Sequence, residues 1–274
     1  SQGSRRWINV FVFNLQPSEL MKVGIILFLS NYYHKISSGD VNKFKYLFYP
    51  LIALLVPFML VLTQPDLGTA ILILISGIVI TWLSGVRWKI FAYLSVISIC
   101  LAPIAISFLK PYQKSRILTF LNPDSDPLGA GYQIIQSKIA IGSGGLFGKG
   151  FLNGSQAYLN FLPEKHTDFI FTLFSEEFGF FGSVFILLLY VLIIYRIVKI
   201  GHITRSNFGK LYCYGFSTAL SVYIAVNMGM VLGLLPIVGA PLPIMSYGGS
   251  SMMSIMLGLG IAMSCKIYKD TAVN

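Results

Sequence analysis

From Leu211 to Cys265 the chain contains no Asp, Glu, Lys, Arg or His. A water-soluble fold has no use for so long a stretch without charge, whereas a lipid environment requires one. A hydrocarbon core about 30 Å thick needs roughly 20 apolar residues in helical form. The stretch is long enough for two crossings, and the string PIVGAPLP, Pro236 to Pro243, supplies the turn between them.

Further charge-free runs of span length occur at Leu47 to Pro65, Leu67 to Val86, Ile90 to Leu109 and Phe178 to Tyr195. A shorter run, about Ser18 to Tyr33, carries Glu19 and Lys22 near its start. The expectation is an all-α polytopic membrane bundle of about seven transmembrane helices, with residues 1–274 as one integral membrane domain. No n-region precedes the first apolar run and no cleavage site follows it, so no signal peptide is expected. The chain opens on SQGSRRWI without an initiator Met, which reads as the tail of a loop with a segment missing upstream.

Composition agrees. Charged residues are 11% and hydrophobic residues 55%, against about 25% charged in soluble domains. A net charge of +10 in a soluble chain would suggest nucleic acid. Here the positive-inside bias explains it better, with anionic lipid headgroups second, and no nucleic-acid partner is expected. Cys100, Cys213 and Cys265 are odd in number and mostly within apolar runs, so they read as packing residues.

Alternate connections gather the cations on one face: Lys35, Lys43 and Lys45, then Arg87 and Lys89, then Arg196, Lys199, Arg205 and Lys210, then Lys266 and Lys269. The short connections opposite hold only Arg5 and Arg6. The cation-rich face, with the C-terminus, is expected in the cytoplasm of a multi-pass protein. The PIVGAPLP turn and one large extracytoplasmic loop, about residues 110–168, then face outward. That loop holds Lys110, Lys114, Arg116, Lys138, Lys149 and Lys165, but long loops weigh little in topology.

Most of the polar chemistry lies in this loop. Asp168 closes it, at the end of PEKHTDF and just before the apolar run FIFTLF. As a structural residue it would serve the helix N-terminus, beside a capping Thr167. As a functional one it is a carboxylate at the outer membrane boundary, able to take a proton from a substrate hydroxyl. A helix N-terminus weakens a base by favouring its ionised form; burial or the neighbouring Glu164 pushes the other way. Of the histidines, His34 and His202 read as solvated loop residues, and His166 has the suggestive setting. The cluster Gly142, Gly144, Gly145, Gly148 and Gly150, with the loop cations, resembles an anion-binding surface, though it fits no nucleotide pattern.

Outside the loop, Glu19 and Lys22 share a helix face. A mid-membrane charge costs about 2.5–3.5 kcal/mol, so such residues face a cavity and each other. They form either a boundary ion pair or a cation that holds phosphate. Asp66, in QPDLGT, is expected to cap the next helix. Ser246 to Ser251 (SYGGSS) opens the last span, where small residues permit close packing or hydroxyls line a cavity. Asn227 is the main polar residue inside a span.

Five strings in order, QPSEL at Gln16, QPDLGTA at Gln64, DPLGAGYQIIQSKIAIGSGGLFGKG at Asp126, PEKHTDFIF at Pro163 and GLLPIVGAPLPIMSYGGSS at Gly233, resemble the SEDS family of bacterial cell-wall proteins (FtsW, RodA and SpoVE). The long loop is most similar to the RodA, rod-shape-determining branch. The resemblance implies a ten-helix fold of which this chain supplies the last seven, lacking the N-terminal three. It implies a peptidoglycan glycosyltransferase that polymerises lipid II for cell elongation and rod shape, by inverting transfer with Asp168 as general base. Trp7 matches the family's Arg-Trp motif, and Glu19 and Lys22 match a polar pair in its substrate cavity. Arg116 and Lys138 are assigned to the pyrophosphate, since a departing dianion needs cations or a divalent metal such as Mg or Mn. No ligand set for a metal is visible. Glu164, Lys165, His166 and Ser246 complete the expected substrate-binding set. Asn14 departs from relatives that carry Arg just before QPSE. Implied partners are a class B penicillin-binding protein, other elongation-complex proteins, lipid II and membrane lipid, and the implied location is the bacterial inner membrane. Two other readings stand beside the polymerase: a lipid II flippase or transporter, and an inactive truncated scaffold.

Overall fold

The structure, a computed structural model, describes residues 7–10, 13–37, 39–64, 66–108, 111–122, 126, 129–154 and 166–271. Arg5, Arg6, Pro65, Leu109, Lys110, Pro163, Glu164 and Lys165 lie outside the described residues. The elements are strands β1 (Ile8–Val10) and β2 (Phe13–Leu15), then helices α1 (Pro17–His34), α2 (Phe44–Thr63), α3 (Leu67–Leu83) and α4 (Trp88–Phe108). Next come α5 (Pro111–Leu121), α6 (Ala130–Gly144), α7 (Ile170–Ile203), α8 (Asn207–Val231) and α9 (Gly249–Ile267).

Each expected span coincides with a helix. Among the described residues four helices, α2, α7, α8 and α9, are long and apolar enough to cross a membrane. Gly68–Leu83 and Trp88–Leu101 are shorter apolar helices. Two features were not expected. Residues 8–10 and 13–15 pair antiparallel, Ile8 with Leu15 and Val10 with Phe13. The segment expected as a long loop contains α5 and α6. In α6 the buried residues Gly131, Ile134, Ser137 and Ala140 recur every third position, which gives the helix one buried face. His34 and His202, read as loop residues, lie in helices instead, and the His34 ring packs edge-on at Phe208. All three cysteines are free.

The chain forms two compact units. The first comprises Ser1–Arg87, Tyr190–Ile224 and Tyr247–Asn274. Here α1 and α2 pack on α3, and α9 packs on α1. Ile25, Ile26, Leu29, Ile73 and Ile80 are fully buried here, as is Tyr212 on α8. Small residues allow the close approach: Gly77 faces Leu54, Gly215 faces Ile80, and Gly258 faces Phe216. The Tyr212 hydroxyl donates to the Gly258 carbonyl at 2.9 Å. Asp66 caps α3 as expected, accepting from the Thr69 N–H at 3.2 Å.

The second unit comprises Trp88–Leu189 and Ala225–Ser246. Its defining feature is a break in α7 at Gly179, where φ is 67° and ψ is −160°. A broken helix exposes carbonyls on one side and N–H groups on the other, and neither can stay unpaired in an apolar setting. The segment after α6 fills the gap. Lys149 and Gly150 donate to the carbonyls of Glu176 and Glu177, each at 3.0 Å. Phe180 and Phe181 donate to the carbonyls of Gly145 and Leu146 at 2.9 and 3.2 Å. A Cβ on Gly144 would collide with the Ser175 carbonyl, and one on Gly148 with the Glu177 carbonyl. The glycine cluster is therefore a packing device. Its N–H groups at positions 145, 148 and 150 are spent on protein carbonyls, so it offers no ready-made anion nest.

Candidate active site

The candidate residues fall into two groups, one in each unit. In the first unit, α1 carries Glu19 and Lys22 one turn apart, so their side chains meet at 2.7 Å, only 5% and 9% exposed. Burying such charges is costly unless they are paired, and each neutralises the other. The Lys22 ammonium also sits 4.0 Å from the centre of the Tyr223 ring, a cation–π contact. Above this pair three of the sequence strings converge. The Ser250 hydroxyl donates to the Asn14 carbonyl at 2.8 Å and accepts from the Gln16 N–H at 3.1 Å. The Gln16 amide donates to Ser18 Oγ at 3.1 Å and to Asp66 Oδ2 at 3.4 Å. Trp7 stands just before β1 and is 55% exposed.

In the second unit Asp168 is half-buried in the turn that leads into α7. Its backbone is pinned from two sides. The Asn227 amide donates to the Asp168 carbonyl at 2.9 Å, and the Ser246 hydroxyl donates to the Thr167 carbonyl at 2.6 Å. The same hydroxyl accepts from the Leu242 N–H at 2.7 Å, so Ser246 is committed to backbone on both counts. The carboxylate lies over Gly239, whose φ of +73° favours glycine; a Cβ there would sit 3.5 Å from Asp168 Oδ2. Lys138, exposed on α6, lays the end of its side chain over Gly233, where a Cβ would meet Nζ at 2.8 Å. Asp168 and Lys138 thus border the same connection between α8 and α9. Arg116 is half-buried on α5, which packs on α6, and His166 is exposed two residues before Asp168.

Two residues escaped the sequence reading. Asn227, noted only as a polar residue in a span, reaches Asp168. Glu176 is fully buried and pairs with Lys149 Nζ at 2.6 Å. The signal for both was a polar residue within an apolar run, and their partners lie too far along the chain for local pattern to reveal. Among the described residues, no group of three or more His, Cys, Asp or Glu is placed to hold a metal ion.

These observations define a helical membrane protein with a half-buried carboxylate whose backbone is clamped just ahead of a helix. Residues 1–271 match the cell cycle protein family of FtsW, RodA and SpoVE, and the chain belongs to that family. Peptidoglycan glycosyltransferase MrdB of Escherichia coli (strain K12) is 44% identical over 272 residues, 98% of this chain and 72% of that protein. A solved chain from a peptidoglycan synthase complex, described as coordinating polymerization and crosslinking, superposes with a TM-score of 0.78 at 30% identity, covering 98% of this chain and 74% of that one. The rod shape determining protein RodA of Thermus thermophilus superposes at 0.68 with 26% identity, covering 99% and 72%.

Proposed function

We propose that this chain is a peptidoglycan glycosyltransferase of the bacterial inner membrane that polymerises lipid II for cell elongation and rod shape. The sugar 4-hydroxyl of the acceptor attacks the anomeric carbon of the donor. A new C–O bond forms, the bond to the lipid pyrophosphate breaks with inversion, and the electron pair leaves on the pyrophosphate. Asp168 takes the hydroxyl proton. Lys138 and Arg116 meet the charge that develops on the departing pyrophosphate, where preformed cations act most strongly. His166, with Glu164 and Lys165 beside it in sequence, contacts the glycan head, as does Trp7. Glu19 and Lys22 form a polar pocket for the substrate in the first unit. Ser246 holds the Asp168 segment through backbone. The outward face carries residues 110–168, the C-terminus is cytoplasmic, and the whole chain works as one integral membrane domain. A class B penicillin-binding protein crosslinks the product, within a larger elongation complex.

The single observation that carries this reading is the half-buried Asp168, held through two consecutive backbone carbonyls, in a chain 44% identical to a named peptidoglycan glycosyltransferase. The test is lipid II polymerisation by purified Asp168→Asn, which keeps shape and loses the base. Glycan synthesis is expected to fall by about 10²–10⁴-fold with membrane insertion intact. Synthesis at the wild-type rate would remove Asp168 as the base. Lipid translocation that survives the substitution, without polymer from either form, would favour a transporter.

A further inference from the structure

Asn227 lies near the end of α8 with no exposed surface. An amide nitrogen carries two N–H donors, and here both are used on backbone. One goes to the Asp168 carbonyl at 2.9 Å and the other to the Ala240 carbonyl at 2.6 Å. A single side chain therefore ties the segment that carries the carboxylate to the connection that the carboxylate overlies. Ala240 directly follows Gly239, the residue beneath Asp168 Oδ2. Two carbonyls facing one amide also fix its orientation, because the opposite flip would set oxygen against oxygen.

A purely structural role fits less well. The Asn227 oxygen is buried without a hydrogen-bond partner among the described residues. An orphaned acceptor costs about 1–3 kcal/mol, which is set against the two hydrogen bonds that the same amide donates. A polar residue kept in such a place marks a functional site more often than a packing need.

We propose that Asn227 is a positioning residue for transfer at Asp168. It sets the height of the carboxylate over Gly239 by bridging the Asp168 and Ala240 carbonyls. The proposal rests on the reading of Asp168 as the base. Reaction requires the base to be placed within a fraction of an ångström, and a shift of about 1 Å can cost on the order of 10²-fold in rate. Asn227 touches no reacting atom and acts only through Asp168.

The experiment compares Asn227→Leu, Asn227→Asp and Asp168→Asn in the full chain. Leu keeps the branched shape of Asn and suits an apolar helix but withdraws both donors, so a stability loss of about 1–3 kcal/mol is expected and thermal unfolding is measured beside activity; Asp keeps the shape and replaces both donors with acceptors. Polymerisation kcat is expected to fall by about 10²-fold in both Asn227 variants with KM within about twofold, because substrate contacts stay in place. Amide hydrogen exchange at residues 167–171 is expected to quicken in Asn227→Leu while exchange in α9 stays as in wild type. Wild-type kcat and unchanged exchange in both variants, beside an inactive Asp168→Asn, would overturn the positioning role and leave the base intact. An active Asp168→Asn would overturn the base reading and this proposal with it.

Discussion

The Ser246 hydroxyl and the Thr167 carbonyl meet at 2.6 Å across 79 residues of sequence. With the Asn227 contact to the next carbonyl, this bond fixes two consecutive peptide units at the point where Asp168 turns into α7. The backbone, and not only the side chain, is what this site holds rigid.

Ser246→Ala removes the donor to Thr167 and the acceptor for Leu242 together. The buried Leu242 N–H without its acceptor costs about 1–3 kcal/mol. Thermal unfolding should reveal that loss, and polymerisation should lose kcat with KM little changed. Because Ser246 and Asn227 act on one segment, the double variant with Asn227→Leu should lose less rate than the product of the two single effects. Independent, multiplicative losses would mean that the two side chains do not share one task.

The buried Glu176 depends on Lys149. Lys149→Met leaves a carboxylate with no surface exposure and without its cation. The expected loss is about 2–3 kcal/mol, below the fully buried range because the Lys149 side chain is 31% exposed. Adding Glu176→Gln should recover most of it. Equal unfolding temperatures for wild type and Lys149→Met would show that Lys149 does not carry this charge.

Gly148 has a φ of +79° and no room for a Cβ against the Glu177 carbonyl, whereas Gly142 has nothing within 4 Å. Gly148→Ala should therefore lower stability by more than about 1–2 kcal/mol, the cost of the left-handed conformation alone. Gly142→Ala, on α6, should be neutral or gain up to about 1 kcal/mol. Measured side by side, two similar outcomes would argue against the interlock of residues 144–150 with broken α7.

Lys138→Met should lower kcat more than it raises KM if the ammonium meets charge that appears only as the pyrophosphate departs. Loss of one such donor costs on the order of 10²–10³-fold. A rise in KM alone would instead make Lys138 a ground-state contact with the substrate.

The helices could be read from the chain because lipid imposes a local rule. Each crossing needs roughly 20 apolar residues with their backbone bonds satisfied within the helix, so length and absence of charge mark it. The cap at Asp66 was legible for the same reason, since its partner Thr69 lies three residues on. Asp168 could be singled out as a carboxylate just ahead of an apolar run. What holds it could not, because Asn227 and Ser246 lie 59 and 79 residues from the carbonyls they bind. The glycine cluster was misread on the same ground: its purpose depends on a break in α7 that only its filling by residues 145–150 makes tolerable. Sequence alone determined where the chain enters apolar surroundings and which strings mark its family. Tertiary structure alone decided which distant polar groups pair, because in an apolar interior an unpaired polar group is costly, and no local pattern names its partner.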